Sequence, residues 1–169
     1  MLIAAVLTIS DSSHRGTRVD KSGPAIVECL EREGWRIAIQ EVLPDEVDVI
    51  SARLAALADG GTVGAIFTTG GTGITPRDVT PEATRAILDK ELPGLSEHMR
   101  SEGKKYTPRA LLSRAVTGTR SRALIVNLPG SPKGAVESLG AIVDLVPHVL
   151  ELLHGGTEHP LEPKLDLPA

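Results

Sequence analysis

Aromatic side chains are nearly absent: Trp35, Phe67 and Tyr106 are the three in 169 residues. A core built by this chain therefore has to be aliphatic, packed from Leu, Val, Ile and Ala. Cysteine is scarcer still. Cys29 stands alone, which excludes an intrachain disulfide and a multi-cysteine metal site and fits a reducing compartment. No apolar run nears the roughly 20 residues that a membrane helix needs. The opening Met1–Ile9 segment lacks the basic leader of a signal peptide and reads as a strand. The expectation is a water-soluble, cytoplasmic protein with no membrane partner.

Two common phosphate motifs are missing as well. The nucleoside-triphosphatase loop requires Gly-Lys-Ser/Thr after four spacer residues, and no such lysine follows Gly70 or Gly71. The dinucleotide fingerprint requires a glycine three positions after Gly73, where Pro76 stands. Acidic residues prevail overall, with a net charge of −4, but not everywhere. From Arg100 to Lys133 the chain carries eight basic side chains against the single acid Glu102. A basic segment on an acidic chain suits a small anionic ligand and not a nucleic-acid track. Most of those eight charges read as a solvated surface.

What is present is one domain's length of alternating strand and helix signals. Leu2 to Ile9 is a nearly continuous apolar run, the pattern of a strand covered on both faces. The polar loop Ser10–Gly16 follows it. Ser10 and Asp11 there suit either ligand contacts or turn formation, and His14 reads as a solvated loop residue. A helix enters through Ser22-Gly23-Pro24 and stops at Gly34. The strand from Trp35 to Leu43 alternates in polarity and is half buried. Val47, Ile50, Leu54 and Leu57 recur at helical spacing, with Asp45 standing where an N-cap belongs. Gly64-Ala65-Ile66-Phe67 reads as a buried strand. Further on, the pattern predicts a helix from Pro81 to about Asp89 and another marked by Leu92, Leu95 and Met99. Strands follow at Ala115–Val116 and Ala123–Leu128, separated by a Thr117-Gly118-Thr119 turn. A last helix follows Pro132, kinked by Pro147. The fold class expected is α/β, a mostly parallel sheet flanked by helices in three layers. Residues 1–155 would form the domain, and 156–169 an extended proline-containing tail.

The chain is organised around Thr68-Thr69-Gly70-Gly71-Thr72-Gly73, which continues through Arg77-Asp78-Val79-Thr80-Pro81-Glu82. Three glycines in four positions permit positive φ and close backbone approach. Their amides can form a concave donor nest for phosphate oxygens, although an ordinary tight turn would use the same residues. Thr80-Pro81-Glu82 reads as a helix start with a hydroxyl cap. Downstream, Leu128-Pro129-Gly130-Ser131-Pro132-Lys133 is a second glycine turn ahead of a helix. Ser131 there suits either a cap or an anion-binding helix start.

Taken together, these two turns resemble the MogA/MoaB family of molybdenum-cofactor biosynthesis, to which the eukaryotic gephyrin G domain is related. The resemblance runs over roughly residues 3 to 153. Pro76-Arg77-Asp78-Val79-Thr80-Pro81 resembles the MogA branch, molybdopterin adenylyltransferase, more than the MoaB branch. That branch implies a homotrimer that adenylylates molybdopterin with Mg2+ and ATP and releases pyrophosphate. A separate molybdate-inserting partner would use the product. The family's two functional aspartates fall on Asp45 and Asp78, as catalytic and metal-binding residues, which replaces the capping role for Asp45. Gly70, Gly71, Thr72 and Gly73, with Ser10 and Asp11, match the ATP and phosphate side. Ser131, Arg77 and Lys133 match the molybdopterin side. The alternative is a non-catalytic molybdopterin-binding or scaffold protein of the same pathway. A phosphate-ester hydrolase is disfavoured because no nucleophile–base pair is apparent.

Overall fold

The amino-terminal apolar run becomes the strand on which the sheet is laid. In this computed structural model, which describes residues 2–156, β1 (Ile3–Ile9) is buried from Ala4 onward. It pairs in parallel with β2 (Arg36–Leu43) on one side and β3 (Ala65–Thr69) on the other. Strand β3 pairs in parallel with β6 (Ala123–Leu128). The hairpin partner β5 (Thr117–Arg120) and the two-residue β4 (Lys90–Glu91) complete the far edge in antiparallel orientation. The order is β2-β1-β3-β6-β5-β4.

Alternation along the strands divides the core into two. Ala4 and Val6 of β1, with Phe67 and Val126, face α2 (Ser22–Arg32) and α6 (Pro132–Ile142) through Ile26, Leu30, Leu139 and Ile142. Ala5, Leu7 and Ile9, with Ile66 and Ile125, face α3 (Val47–Asp59) through Ile50 and Leu54. The result is helix, sheet, helix, as the pattern implied. Each such fully buried Leu or Ile contributes on the order of 2 kcal/mol relative to exposure. Of the few aromatics, Trp35 and Phe67 meet edge to face, with centroids 6.1 Å apart. The edge strand β2 alternates between exposed and half-buried positions, as its polarity required.

The remaining helices are α1 (Asp11–His14), α4 (Thr80–Arg85), α5 (Pro93–Lys104) and α7 (Val146–Leu153). A 3-10 turn covers Pro108–Leu112. No helix among the described residues is long and apolar enough to cross a membrane. The tail expected after residue 155 lies, from residue 157 on, outside the described residues.

Several local expectations are corrected. The Ser10–Gly16 loop contains a short helix, α1, capped by Ser10, whose Oγ accepts from the Ser13 amide. Thr80 is not a cap: it is already helical, and its hydroxyl donates to the carbonyl of Gly70. Its helix also ends at Arg85, short of Asp89. The Thr117-Gly118-Thr119 segment is strand, not turn; the turn falls at Ser121, where φ is +52°. Gly118 marks close approach: a Cβ there would lie 2.4 Å from the Lys90 carbonyl. The last helix is broken, not merely kinked. A 3-10 turn at Val143–Leu145 separates α6 from α7, and Pro147 occupies the first turn of α7.

Candidate active site

The sheet order places the carboxyl ends of β1, β3 and β6 side by side, where open α/β sheets bind ligands. At their meeting point the chain has no room for a side chain. Gly70 adopts φ +100°, and a Cβ on it would stand 2.3 Å from the Ile9 carbonyl oxygen. Gly71 follows at φ +64°, where a Cβ would meet the Thr80 hydroxyl at 2.2 Å and Oδ1 of Asp45 at 3.2 Å. Gly130, after β6, packs on the Cα of Gly70. Gly70 and Gly71 are therefore needed both for positive φ and for close approach, and Gly130 for close approach alone.

A buried polar network fixes this turn from beneath. Asn127 of β6 donates from Nδ2 to the hydroxyls of Thr68 and Thr84, and its Oδ1 accepts from the Val116 amide. Thr84 donates to the Thr80 carbonyl, and Thr80 donates to the Gly70 carbonyl. Thr69 donates to the Pro129 carbonyl at 2.6 Å, linking the two glycine turns.

Asp45 is not the cap that its position suggested. Helix α3 is preceded by Glu46, which makes no capping bond. The Asp45 side chain instead reaches to the end of β1, where its Oδ2 accepts from the Asp11 amide at 2.8 Å. Asp11 in turn accepts from the Asp45 amide on Oδ1 and from Arg77 on Oδ2. These contacts hold the Asp11 carboxyl below the ordinary range, through the Asp45 amide first and the Arg77 guanidinium second. The Asp45 carboxyl is shifted upward. Burial is the main cause, and the negative charges of Asp11 and Asp78 add to it against the Asp11 amide and Arg77.

Two open clefts meet at this turn. The larger, of about 760 Å³, is lined by Ser10, Asp45, Gly70, Arg18 and Lys21 among others. The smaller, of about 350 Å³, is lined by Thr72, Gly73, Arg109, Glu137 and Ser138 among others. Gly71, Asp78, Gly130 and Ser131 belong to both. The structure thus brings together Asp45, Asp78, Ser10, Ser131 and the glycine turn. Ser131 also caps α6, its Oγ accepting from the Gly134 amide.

Three expected ligand contacts lie elsewhere. Arg77 and Asp11 line neither cleft and are paired to each other. Lys133 lines neither cleft; its side chain is 82% exposed and its Nζ sits 3.8 Å from Glu137. Within the basic segment, Arg114 binds the central loop, Arg120 binds Asp59 and Lys105 binds Glu102. Arg109 is the member that lines either cleft. Arg18, Lys21 and Glu137 escaped the sequence reading, because no local pattern separates them from solvated charge.

The donor set suits a hard cation only in part. No cluster of three or more His, Cys, Asp or Glu side chains able to hold a metal occurs among the described residues. Two carboxylates on one cleft match the way Mg2+ binds, through one or two carboxylates completed by phosphate oxygens and water.

Comparison with known proteins agrees with this architecture. Residues 5–148 match the family described as "Probable molybdopterin binding domain". The chain is 41% identical over 153 residues to the molybdopterin adenylyltransferase of Helicobacter pylori, covering 89% of this chain and 86% of that protein. It is 38% identical over 164 residues to the enzyme of the same name from Escherichia coli K12, covering 89% and 84%. A crystal structure described as the molybdopterin biosynthesis enzyme MoaB from Thermus thermophilus superposes with a TM-score of 0.86 at 50% identity. It covers 92% of this chain and 98% of that one.

Proposed function

The chain belongs to the molybdopterin-binding domain family, and on that premise we propose that it is a molybdopterin adenylyltransferase. The reaction would join two anions. A terminal phosphate oxygen of molybdopterin attacks the α-phosphorus of ATP, a new P–O bond forms, and the bond to the bridging oxygen breaks as pyrophosphate leaves. No general base is needed, because the attacking phosphate is already anionic at neutral pH. The barriers are charge repulsion and alignment, so the protein's task is positioning and electrostatic stabilisation.

One observation carries the reading: two clefts share a wall, and that wall bears a carboxylate, a hydroxyl and glycine backbone. Two substrates seated in separate clefts would meet there. The larger cleft, with Arg18 and Lys21, suits the polyphosphate. The smaller, with Ser138, Glu137 and apolar Leu112 and Pro129, suits a flat polar ring. Amides at Gly70–Gly73 would hold phosphate oxygens. Asp45 and Asp78 would hold Mg2+, which supplies charge neutralisation of the polyphosphate when bound. Asp11 and Arg77 take a supporting part, since each is committed to the other. The reading extends to a cytoplasmic homotrimer that passes adenylylated molybdopterin to a separate molybdate-inserting protein.

The family description names only molybdopterin binding, and the second reading is a chain that binds molybdopterin without transferring AMP. Incubation with Mg-ATP and molybdopterin, with pyrophosphate as readout, decides between them. Pyrophosphate released only when molybdopterin is present supports the transferase. Molybdopterin binding without pyrophosphate supports the binder.

A further inference from the structure

We propose that Arg114 is a positioning residue for adenylyl transfer, a clamp that holds the Thr72–Asp78 loop with the Asp78 carboxylate on the wall between the clefts. The inference rests on the adenylyltransferase reading. Its geometry stands independently.

Arg114 makes four hydrogen bonds, all to the central motif. Its amide donates to the Thr72 carbonyl at 2.9 Å. Its Nε donates to the Gly73 carbonyl and its Nη2 to the Asp78 carbonyl, each at 2.6 Å. Its Nη1 pairs with the carboxylate of Glu82 in α4. One planar guanidinium thus ties both ends of the loop and the following helix together. A guanidinium spreads its donors over three nitrogens in a fixed plane and so spans separated acceptors; a lysine ammonium has its three donors on one nitrogen.

The loop needs such a clamp. Residues 74–77 are exposed, and Ile74 is 70% exposed despite its apolar side chain. Within the loop, the Thr75 amide donates to Asp78 Oδ2 and the Asp78 amide donates to the Thr75 carbonyl. Those bonds shape the loop without attaching it to the sheet. Attachment comes from Arg114 on one side and the Arg77–Asp11 pair on the other. The segment carrying Arg114 is itself braced, because Arg100 donates to the carbonyls of Ser113 and Ala115 on either side of it. Holding the Asp78 backbone leaves Oδ1 of the same residue without a hydrogen-bond partner among the described residues and able to face a ligand. Misplacement of such a group by about 1 Å can lower a rate about 10²-fold.

The test uses the full chain carrying Arg114→Lys, Arg114→Ala, and each combined with Asp78→Asn. Amide hydrogen exchange reads the loop directly. Peptides covering residues 71–79 should exchange at least about tenfold faster in both single variants, with those from β1 and β6 unchanged. Turnover should fall about 10²-fold, with the KM for molybdopterin within about threefold of wild type. In the Asp78→Asn background, Arg114→Lys should cost less than about threefold, since a residue acting through Asp78 has little left to lose. Millimolar ethylguanidinium should restore part of the activity of Arg114→Ala. Unchanged exchange in 71–79, or an undiminished loss in the Asp78→Asn background, overturns the proposal. If wild type itself releases no pyrophosphate, the transferase reading fails. The exchange data and Mg-ATP affinity then decide the clamp, and equal values in wild type and Arg114→Lys reject it.

Discussion

Asp11 and Asp45 hold each other across the ends of β1 and β2: each backbone amide donates to the other's carboxylate, at 2.8 and 3.1 Å. The Asp11 amide engages Oδ2 of Asp45, and Oδ1 lies beside Gly71. One oxygen is thus used to orient the carboxylate and the other is presented to the glycine turn. Arg77 completes the arrangement by pairing with Asp11.

Asp45→Asn keeps an oxygen that accepts from the Asp11 amide but removes the charge. Turnover should fall about 10²-fold, by analogy with losing one preorganised electrostatic element. The melting temperature should stay within about 3 °C, roughly what a 1 kcal/mol change produces in a domain of this size. Asp78→Asn should behave alike. Kinetics paired with thermal melting check both, and normal turnover in either variant removes that residue from the mechanism.

Gly70→Ala should destabilise the fold by more than about 1 kcal/mol, because positive φ and the Ile9 carbonyl both oppose a Cβ. Gly140→Ala provides the contrast. It lies in α6 with open space where a Cβ would go, so it should stabilise by about 0.5–1 kcal/mol. Urea unfolding of the two variants should move in opposite directions.

Asn127→Ala removes one acceptor and two donated bonds at a fully buried site. Stranding buried polar groups costs about 1–3 kcal/mol each. A loss near 3 kcal/mol in denaturant unfolding is expected, along with weaker activity, because the same network supports Gly70. A loss below about 1 kcal/mol would mean that water replaces the side chain.

Arg120 chelates Asp59 and donates to the Ile87 carbonyl, while the Ser121 hydroxyl also donates to Asp59. The Asp59 carboxyl is held below its usual range, by Arg120 first and Ser121 second. A carboxyl depressed in the folded state stabilises it above the unfolded pKa of roughly 3.9, and this is lost as pH falls through the folded value. Wild type should therefore melt above Asp59→Asn near pH 7, with the gap closing below about pH 3.9. A gap independent of pH would show that packing, not charge, is responsible.

The layered sheet was legible because strands buried on both faces must be predominantly apolar, as Ala4–Ile9 is apart from Thr8. The site's backbone was legible for a related reason: glycine at positions 70 and 71 is demanded by φ and by neighbours. Side-chain roles were harder. Asp45 reads as a cap in one dimension, and only the parallel pairing of β1 with β2 brings it to Asp11. Gly118 between threonines suggests a turn until the edge strand β4 is seen to press against it. Arg114 was indistinguishable from its basic neighbours, since its side-chain acceptors lie 32 to 41 residues away in sequence.

The central claim is that Asp45 and Asp78 face one metal-bound triphosphate. Electron paramagnetic resonance of Mn2+, titrated into the protein with ATP, tests it most directly. The account predicts one Mn2+–ATP site in wild type. Each of Asp45→Asn and Asp78→Asn should weaken it by about tenfold or more, with the double variant weakened by less than the product. Unchanged Mn2+ binding in both single variants would contradict it.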